Sequence, residues 1–130
     1  MVTNGRNKGA AFERDIAKML DDELGIQFKR DLEQYREGGH GDLIPSDPAF
    51  PFTLELKRYA DGPIGGQKAW WAQTCVAARR EGKYPALIYK YDRKPIRCVA
   101  PMDPNHWQDD GHVIEMDFEA FCYLAREEMI

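Results

Sequence analysis

The sequence predicts a single α/β domain with a central mixed β-sheet flanked by helices, and three observations carry that prediction. The chain has 130 residues, 43% of them hydrophobic, which suffices for one compact core and is too short for two ordinary domains. Segments with helical spacing alternate with segments of strand-forming residues. In the middle, a strand, a helix and a strand follow one another, which favours a mixed sheet. The predicted order is helix, three strands, helix, two strands, helix.

A first amphipathic helix is predicted near the N-terminus. Phe12 and Ile16, with the methionine and leucine of the next turn, recur at helical spacing, and Gly25 ends the pattern. Glu13 follows Phe12 directly, so it lies at the border of the apolar stripe and can point towards a neighbouring sheet. Residues 1–7 precede the pattern and are expected to form a flexible arm.

Short strands and turns follow the first helix. Residues 26–30 alternate between apolar and polar side chains and predict a short strand. A glycine-rich turn at residues 37–41 then leads to Asp42. Prolines between residues 45 and 51 limit regular pairing until an extended run begins at residues 52–57.

The second half of the chain repeats the alternation of helix and strand. A second helix is predicted from Gln67 to Arg80, and Gly82 ends it. Residues 101–130 form an acidic C-terminal extension that contains the last helix. The remaining predicted elements are a strand at residues 85–91, a return strand at 96–100, an irregular polar loop at 102–111 and a closing helix at 117–125.

Composition bounds the class of protein. No apolar stretch approaches the roughly 20 residues that span a bilayer, and the N-terminus lacks the apolar centre of a secretory signal, so we expect a soluble, cytoplasmic protein. The three cysteines, Cys75, Cys98 and Cys122, are widely spaced. They predict reduced, mostly buried thiols and neither a disulfide framework nor a zinc knuckle.

Charge is strongly segregated along the chain. The formal net charge is −4, yet residues 57–97 carry +7 and residues 98–130 carry −7. The basic block either forms a surface that receives a phosphate backbone or consists of ordinary solvated charges. Its members are Lys57, Arg58, Lys68, Arg79, Arg80, Lys83, Lys90, Arg93, Lys94 and Arg97.

One pattern predicts chemistry most directly. Twelve residues separate Asp42 from Glu55, and Lys57 follows Glu55 on the same face of the extended run. Two hard oxygen ligands can share Mg²⁺ or Mn²⁺, which neutralises charge on a phosphate, while an ammonium orients the attacking water. The alternative is that Asp42 caps a turn and the other two residues are solvated on a sheet edge.

Over residues 8–100 the chain resembles the PD-(D/E)xK nuclease superfamily, and within it the archaeal-type Holliday junction resolvases and their bacteriophage relatives. That resemblance implies a restriction-endonuclease-like fold and a metal-dependent DNA endonuclease that acts in recombination, replication and repair in a bacterial or phage-infected cell. The motifs that carry it are Lys8-Gly9 before Phe12-Glu13-Arg14, an arginine ending a strand, Gly38-Gly39 before Gly41-Asp42, Glu55-Leu56-Lys57, Trp70-Trp71-Ala72-Gln73, and the run from Gly82 to Tyr89.

The resemblance also implies roles for particular residues. Asp42, Glu55, the backbone carbonyl of Leu56 and Glu13 correspond to the ligands of Mg²⁺, for which Mn²⁺ can substitute. Lys57 corresponds to the catalytic lysine and Gln73 to a glutamine that holds water or a phosphate oxygen. Glu13 is alternatively an ordinary acid in the first helix, and Gln67 competes with Gln73 for the glutamine role.

Several side chains are expected to contact DNA, which the resemblance suggests is a four-way junction bound by a homodimer. They are Lys8, Arg30, Arg36, Arg58 and Lys68. Arg30 and Arg36 either clamp phosphates or pair with Asp31 and Glu33. Lys8 and Arg6 lie either in an arm that touches DNA or in a solvated terminus.

The chain departs from the resolvase pattern in two places. Its last third is acidic, and Glu37 stands where a small hydroxyl residue is common. Two other functions therefore stay open: a nuclease of the same fold in restriction, repair or end processing, and a catalytically silent module that binds DNA or protein. His40 is either a base or minor ligand of the site or a turn residue. One of the adjacent Trp70 and Trp71 is expected in the core and the other at a dimer or DNA contact.

Overall fold

A six-stranded mixed sheet organises the chain. The computed structural model describes residues 5–32 and 41–130, and the strands in this part cross the sheet in the order in which they occur in the sequence. β3 and β4 are parallel, and every other pair of neighbours is antiparallel. The strands are β1 (Phe28–Arg30), β2 (Leu43–Pro45), β3 (Phe52–Tyr59), β4 (Tyr84–Tyr91), β5 (Arg97–Pro101) and β6 (Val113–Asp117).

Four helices accompany the strands in the described part of the chain. They are α1 (Gly5–Leu24), α2 (Lys68–Glu81), the one-turn helix α3 (Trp107–Asp110) and α4 (Phe118–Glu128). α2 is the crossover that joins the parallel strands, and it ends at Gly82, whose φ of 69° is left-handed. Asp117 caps α4 by accepting a 2.7 Å hydrogen bond from the N–H of Ala120.

Apolar side chains cover the sheet on two faces. One face packs against α1 and α4, and the other packs against α2. The alternation of β3 divides its residues between these faces, because successive side chains of a strand point to opposite sides. The first cluster includes Phe12, Ile16, Leu20, Phe52, Leu54, Leu56, Ile88 and Phe121, and the second includes Trp70, Leu87, Tyr89, Tyr91 and Val99.

The predicted mixed sheet is confirmed, but the structure differs from the prediction in two segments. The predicted polar loop at residues 102–111 contains α3, and β6 then adds a sixth strand before the closing helix. Pro45 pairs with Phe28 of β1 although prolines were expected to limit pairing. The proline is tolerated because β2 meets β3 only at Leu43, so no partner on that side needs its missing N–H.

Two further sequence predictions concern the state of the cysteines and the structure of the N-terminal segment. Cys75, Cys98 and Cys122 are buried and free, as predicted. α1 begins at Gly5, within the segment predicted to be an arm. In the part of the chain that the structure describes, no helix is both long enough and apolar enough to cross a membrane.

Candidate functional site

Asp42 is held against β3 by backbone contacts that require a glycine before it. A Cβ on Gly41 would lie 2.4 Å from the carbonyl oxygen of Leu54, so no larger residue fits without moving the backbone. The N–H of Asp42 donates to that same oxygen at 2.7 Å, and Asp42 Oδ2 accepts from the N–H of Leu56 at 2.7 Å. These two bonds place the carboxylate beside Glu55.

Glu55 is a buried acid in the interior of the sheet. It is 3% exposed, and its Oε2 has no hydrogen-bond partner among the described residues. Burial, the charge of Asp42 and a hydrogen bond to Asp42 raise the pKa of Glu55 to about 8, while Lys57 opposes the shift. Because β3 is the third of six strands, the alternative of solvated residues on a sheet edge is excluded for Glu55.

Lys57 lies two residues beyond Glu55 on the same face of β3, and its side chain is half-buried. Its register partner on β4 is Tyr89, and the partner of Glu55 is Leu87. The ammonium is close enough to Glu55 to lower the pKa of that acid. The sequence prediction that the acid and the lysine share one face is therefore confirmed by the register of the strand.

Glu13 approaches the same place from α1. Its Oε1 accepts a 2.9 Å hydrogen bond from Nε of Arg30, a pairing that the sequence did not suggest. Burial raises the pKa of Glu13, the bond to Arg30 lowers it, and the charge of Asp42 raises it. Glu13 also raises the pKa of Glu55, so the three acids influence one another.

The donor set fits a divalent cation without forming a complete cluster. Among the described residues, no group of three or more His, Cys, Asp or Glu side chains is arranged as a metal site. Nevertheless, Asp42 and Glu55 offer adjacent oxygens, and the buried Oε2 of Glu55 has no protein partner there. Hard oxygen donors of this kind suit Mg²⁺ or Mn²⁺, and a cation offsets the repulsion between two acids.

The two glutamine candidates occupy different positions relative to α2. Glu81, at the end of α2, accepts bonds from the hydroxyl of Thr53 at 3.0 Å and from the N–H of Gly41 at 3.1 Å. α2 runs antiparallel to β3, and Gln73 precedes Glu81 by two turns, about 12 Å along the axis. Along β3, the four residue steps from Thr53 to Lys57 span a similar distance of about 13 Å. Gln73 is thus exposed at the level of Lys57, whereas Gln67 precedes the helix as its N-cap residue.

Lys8 and Arg58, two basic residues predicted to contact DNA, both form salt bridges with Asp92. Lys8 Nζ lies 3.1 Å and Arg58 Nη1 2.7 Å from Oδ1 of Asp92, in the turn after β4. These two bonds, led by that from Arg58, lower the pKa of Asp92. A cleft of about 360 Å³, lined by Lys8, Gly9 and residues 56–60, opens between the start of α1 and the end of β3. The cleft thus reaches Lys57.

The other predicted residues are distributed around the site or lie outside it. Lys68 is exposed at the start of α2. Trp70 is a core residue that stacks on Tyr59 at 5.0 Å, while Trp71 is partly buried. Arg36, His40, Glu33 and Glu37 lie outside the described residues, as does the side chain of Arg6.

Sequence reasoning missed a polar contact next to the site. Tyr89 donates a hydrogen bond to Glu115 of β6 and accepts one from the N–H of Gly65 at 2.9 Å. Burial and the bond to Glu115 raise the pKa of Tyr89 to about 12, so the hydroxyl keeps its proton. These residues are far apart in the sequence, and no local motif signals their contact.

Comparisons with known proteins bear on the family and the fold of this chain. A family model described as "Phage putative PDDEXK endonuclease" matches residues 4–128. Among solved structures, Hjc of Archaeoglobus fulgidus, a Holliday junction resolvase from an archaeal hyperthermophile, matches with a TM-score of 0.56 and 16% identity. The match covers 92% of this chain and 99% of that one, and at such identity it shows a shared fold. A search of the curated proteins found no match.

Proposed function

The chain belongs to the phage putative PDDEXK endonuclease family, and from that premise we propose that it is a metal-dependent DNA endonuclease that resolves four-way junctions. The observation that carries the catalytic part is the buried pair of Asp42 and Glu55 beside Lys57. The fold shared with an archaeal Holliday junction resolvase supports the junction part. A catalytically silent module is disfavoured, because nothing structural requires two repelling acids in the interior of a sheet.

Four groups of this chain would hold Mg²⁺. They are the carboxylates of Asp42 and Glu55, the backbone carbonyl of Leu56 and the carboxylate of Glu13. The bond from the N–H of Leu56 fixes Asp42 in one orientation, and the unpartnered Oε2 gives Glu55 a free donor atom. When bound, the ion neutralises charge on the scissile phosphate and lowers the pKa of a coordinated water.

Side chains of the protein then position the reaction. Lys57 donates a hydrogen bond to the attacking water or to a non-bridging phosphate oxygen, and its charge stabilises the extra negative charge of the transition state. Gln73, level with Lys57 on α2, presents an amide that orients the same water. Arg30 is held beside the site by Glu13 and provides a charge for a phosphate of the bound strand.

DNA would enter through the cleft at the end of β3. Lys8 and Arg58 line that cleft, and Asp92 holds both of them in place, so they contact phosphates with little loss of side-chain freedom. Lys68 extends the basic surface to the start of α2. A C₂ homodimer would supply two such sites for symmetric cuts across a junction.

Cleavage assays with Mg²⁺ test this proposal on a four-way junction, a linear duplex and a single strand. We expect paired symmetric nicks in the junction. Asp42→Asn should lower the cleavage rate by about 10³-fold, because it removes a ligand of the ion, while DNA binding changes little. The matched control is Asp22→Asn, which alters an exposed acid of α1 paired with Lys18.

Each outcome discriminates between functions. Equal cutting of linear DNA would contradict junction resolution and support a nuclease of restriction, repair or end processing. Unchanged cleavage by Asp42→Asn would contradict the proposed ligand set. Thermal melting gives an independent readout, since Mg²⁺ at 100 times its Kd should stabilise the parent protein by about 2.7 kcal/mol and Asp42→Asn by much less.

A further inference from the structure

The loop between β3 and α2 presents a large apolar side chain to solvent. Ile64 is 95% exposed, and among the described residues only the C-terminal Ile130 is a more exposed large hydrophobic residue. Its neighbours in the sequence are glycine, proline and two further glycines, so Ile64 is the one large apolar side chain of residues 61–66. Ile64 is therefore a lone, almost fully exposed apolar side chain on a loop of otherwise small or polar residues.

The backbone on both sides of Ile64 is tied to the sheet. The hydroxyl of Tyr91 donates to the carbonyl of Pro63 at 2.7 Å, and the N–H of Gly65 donates to the hydroxyl of Tyr89 at 2.9 Å. Tyr89 is held in turn by its bond to Glu115. Ile64 therefore projects from a fixed position, and contact with a partner orders little additional backbone.

Glycines allow the loop to pack this closely. A Cβ on Gly62 would lie 2.5 Å from the hydroxyl oxygen of Tyr91, which leaves no space for a side chain. Gly66 has a φ of +80°, and a Cβ there would lie 3.0 Å from the ring of Trp70. The loop lies against the aromatic face of the sheet, while the side chain of Ile64 is 95% exposed.

The same contacts place the loop beside the proposed catalytic residues. Tyr89, which binds Gly65, is the register partner of Lys57, and adjacent strands lie about 4.8 Å apart. Leu87, which a Cβ on Gly66 would approach to 3.3 Å, is the register partner of Glu55. Ile64 is thus attached one strand away from the two residues that would act on the phosphate.

We propose that Ile64 is a DNA wedge that inserts between stacked bases next to the bond that is cut. The inference rests on the proposed nuclease function. Apolar side chains that enter a base step unstack it and bend the duplex, and the larger protein–DNA interface that the bend permits offsets that penalty. A nucleic acid is favoured over a protein partner because the loop begins directly after Ala60, which lines the cleft together with Lys8, Lys57 and Arg58. In addition, one side chain is far too small for a stable protein interface.

Fluorescence of 2-aminopurine placed beside the cleaved bond tests the wedge. The protein would carry Asp42→Asn to prevent cutting, and Ile64→Ser, Ile64→Leu and Ile130→Ala would be compared in that background. We expect the parent to raise the fluorescence on binding, Ile64→Ser to lose most of the rise and bind about tenfold more weakly, and Ile64→Leu to retain both. Ile130→Ala, at an equally exposed isoleucine, should match the parent.

The possible failures are distinguishable. Unchanged fluorescence with Ile64→Ser would overturn the wedge while the cleavage activity of the unmodified protein stands. Equal losses with Ile64→Leu and Ile64→Ser would also overturn it, because insertion requires an apolar side chain and not isoleucine as such. Failure of the unmodified protein to cut any DNA with Mg²⁺ or Mn²⁺ would overturn the nuclease proposal and the wedge together.

Discussion

The two faces of β3 differ in chemistry: one carries apolar residues of the core, and the other carries polar and charged residues of the candidate site. Towards α1 and α4, Phe52, Leu54 and Leu56 enter an apolar core. Towards α2, Thr53, Glu55 and Lys57 present a hydroxyl, a buried acid and an ammonium. Both faces are removed from water over much of their length, so exposure does not distinguish them; the chemistry of the side chains does.

The difference between the two faces shows how the fold stabilises the energetically unfavourable burial of the Glu55 carboxylate. An acid in the interior of a sheet is stabilised only when a proton, a hydrogen bond or a cation compensates for lost hydration. Leu54 and Leu56 flank Glu55 in the sequence and anchor the same backbone in the core. The apolar face therefore supplies the free energy that keeps the buried Glu55 in place.

Replacing Glu55 by glutamine should produce the largest effect. The substitution preserves volume and removes the charge, so cleavage in Mg²⁺ should fall by about 10³-fold, equivalent to about 4 kcal/mol. The measurement is the single-turnover rate on the preferred DNA substrate, with melting temperature as the control for folding. A rate within threefold of the parent would show that the polar face does not hold the ion.

Leu54→Ala addresses the opposite face and should act on stability. Deleting a fully buried side chain leaves a cavity, and we expect a loss of about 3 kcal/mol in the free energy of unfolding. Urea denaturation measures it. Leu32→Ala, at an exposed leucine, is the matched control and should change stability by less than about 0.5 kcal/mol. Similar values for both variants would contradict the assignment of the core face.

The acid pair predicts how stability depends on pH in metal-free protein. The pKa of Glu55 rises from 4.5 to about 8, so the folded state keeps a proton that the unfolded chain loses at lower pH. Unfolding therefore releases protons between these values, and stability falls as pH rises through that window. We expect the melting temperature to fall by about 10 °C from pH 5 to 8.

Two controls isolate Glu55 as the cause of that fall. Glu55→Gln cannot titrate and should show a flatter profile, measured by calorimetry in the presence of a chelator. Saturating Mg²⁺ should flatten the parent profile too, because a cation offsets the charge that develops as pH rises. A parent profile that rises from pH 5 to 8 would contradict the burial of a protonated acid.

The smallest effect is expected from the glutamine of α2. Gln73→Ala should lower the cleavage rate about tenfold, in keeping with the loss of one hydrogen bond in the transition state. Gln67→Ala is the matched control, since that residue precedes the helix and should leave the rate within twofold. A larger loss of cleavage rate in Gln67→Ala than in Gln73→Ala would assign the glutamine role to Gln67. It would also contradict the alignment of α2 with β3 that places Gln73 at the level of Lys57, which was derived from the contact between Glu81 and Thr53.

Much of this architecture could be predicted because its signals are local. The helical spacing around Phe12 and Ile16, the alternation around Glu55 and the aspartate cap at Asp117 each lie within a few residues of what they specify. The shared face of Glu55 and Lys57 follows from the two-residue period of a strand. The order of the motifs along the chain resembles that of a known family, and this resemblance made it possible to predict the whole fold from the local signals.

The remaining features depend on contacts between distant segments. β6 was missed because it is a five-residue strand that runs directly into the cap of α4, with Val113 and Ile114 partly exposed. The bond between Arg30 and Glu13 joins residues on different elements, and so does the bond from Tyr89 to Glu115. No periodicity encodes such pairs, since they exist only once the sheet has formed.

The parallel pairing of β3 with β4 has a consequence for the nascent chain. Phe52 is the register partner of Tyr84, so β3 leaves the ribosome well before the strand that will cover it. At about 5–20 residues per second, β4 follows about two to six seconds later. During that interval Glu55 and Lys57 lie on an uncovered strand, and synthesis of α2 and β4 must finish before they can form one site. A growing chain therefore assembles this candidate site late.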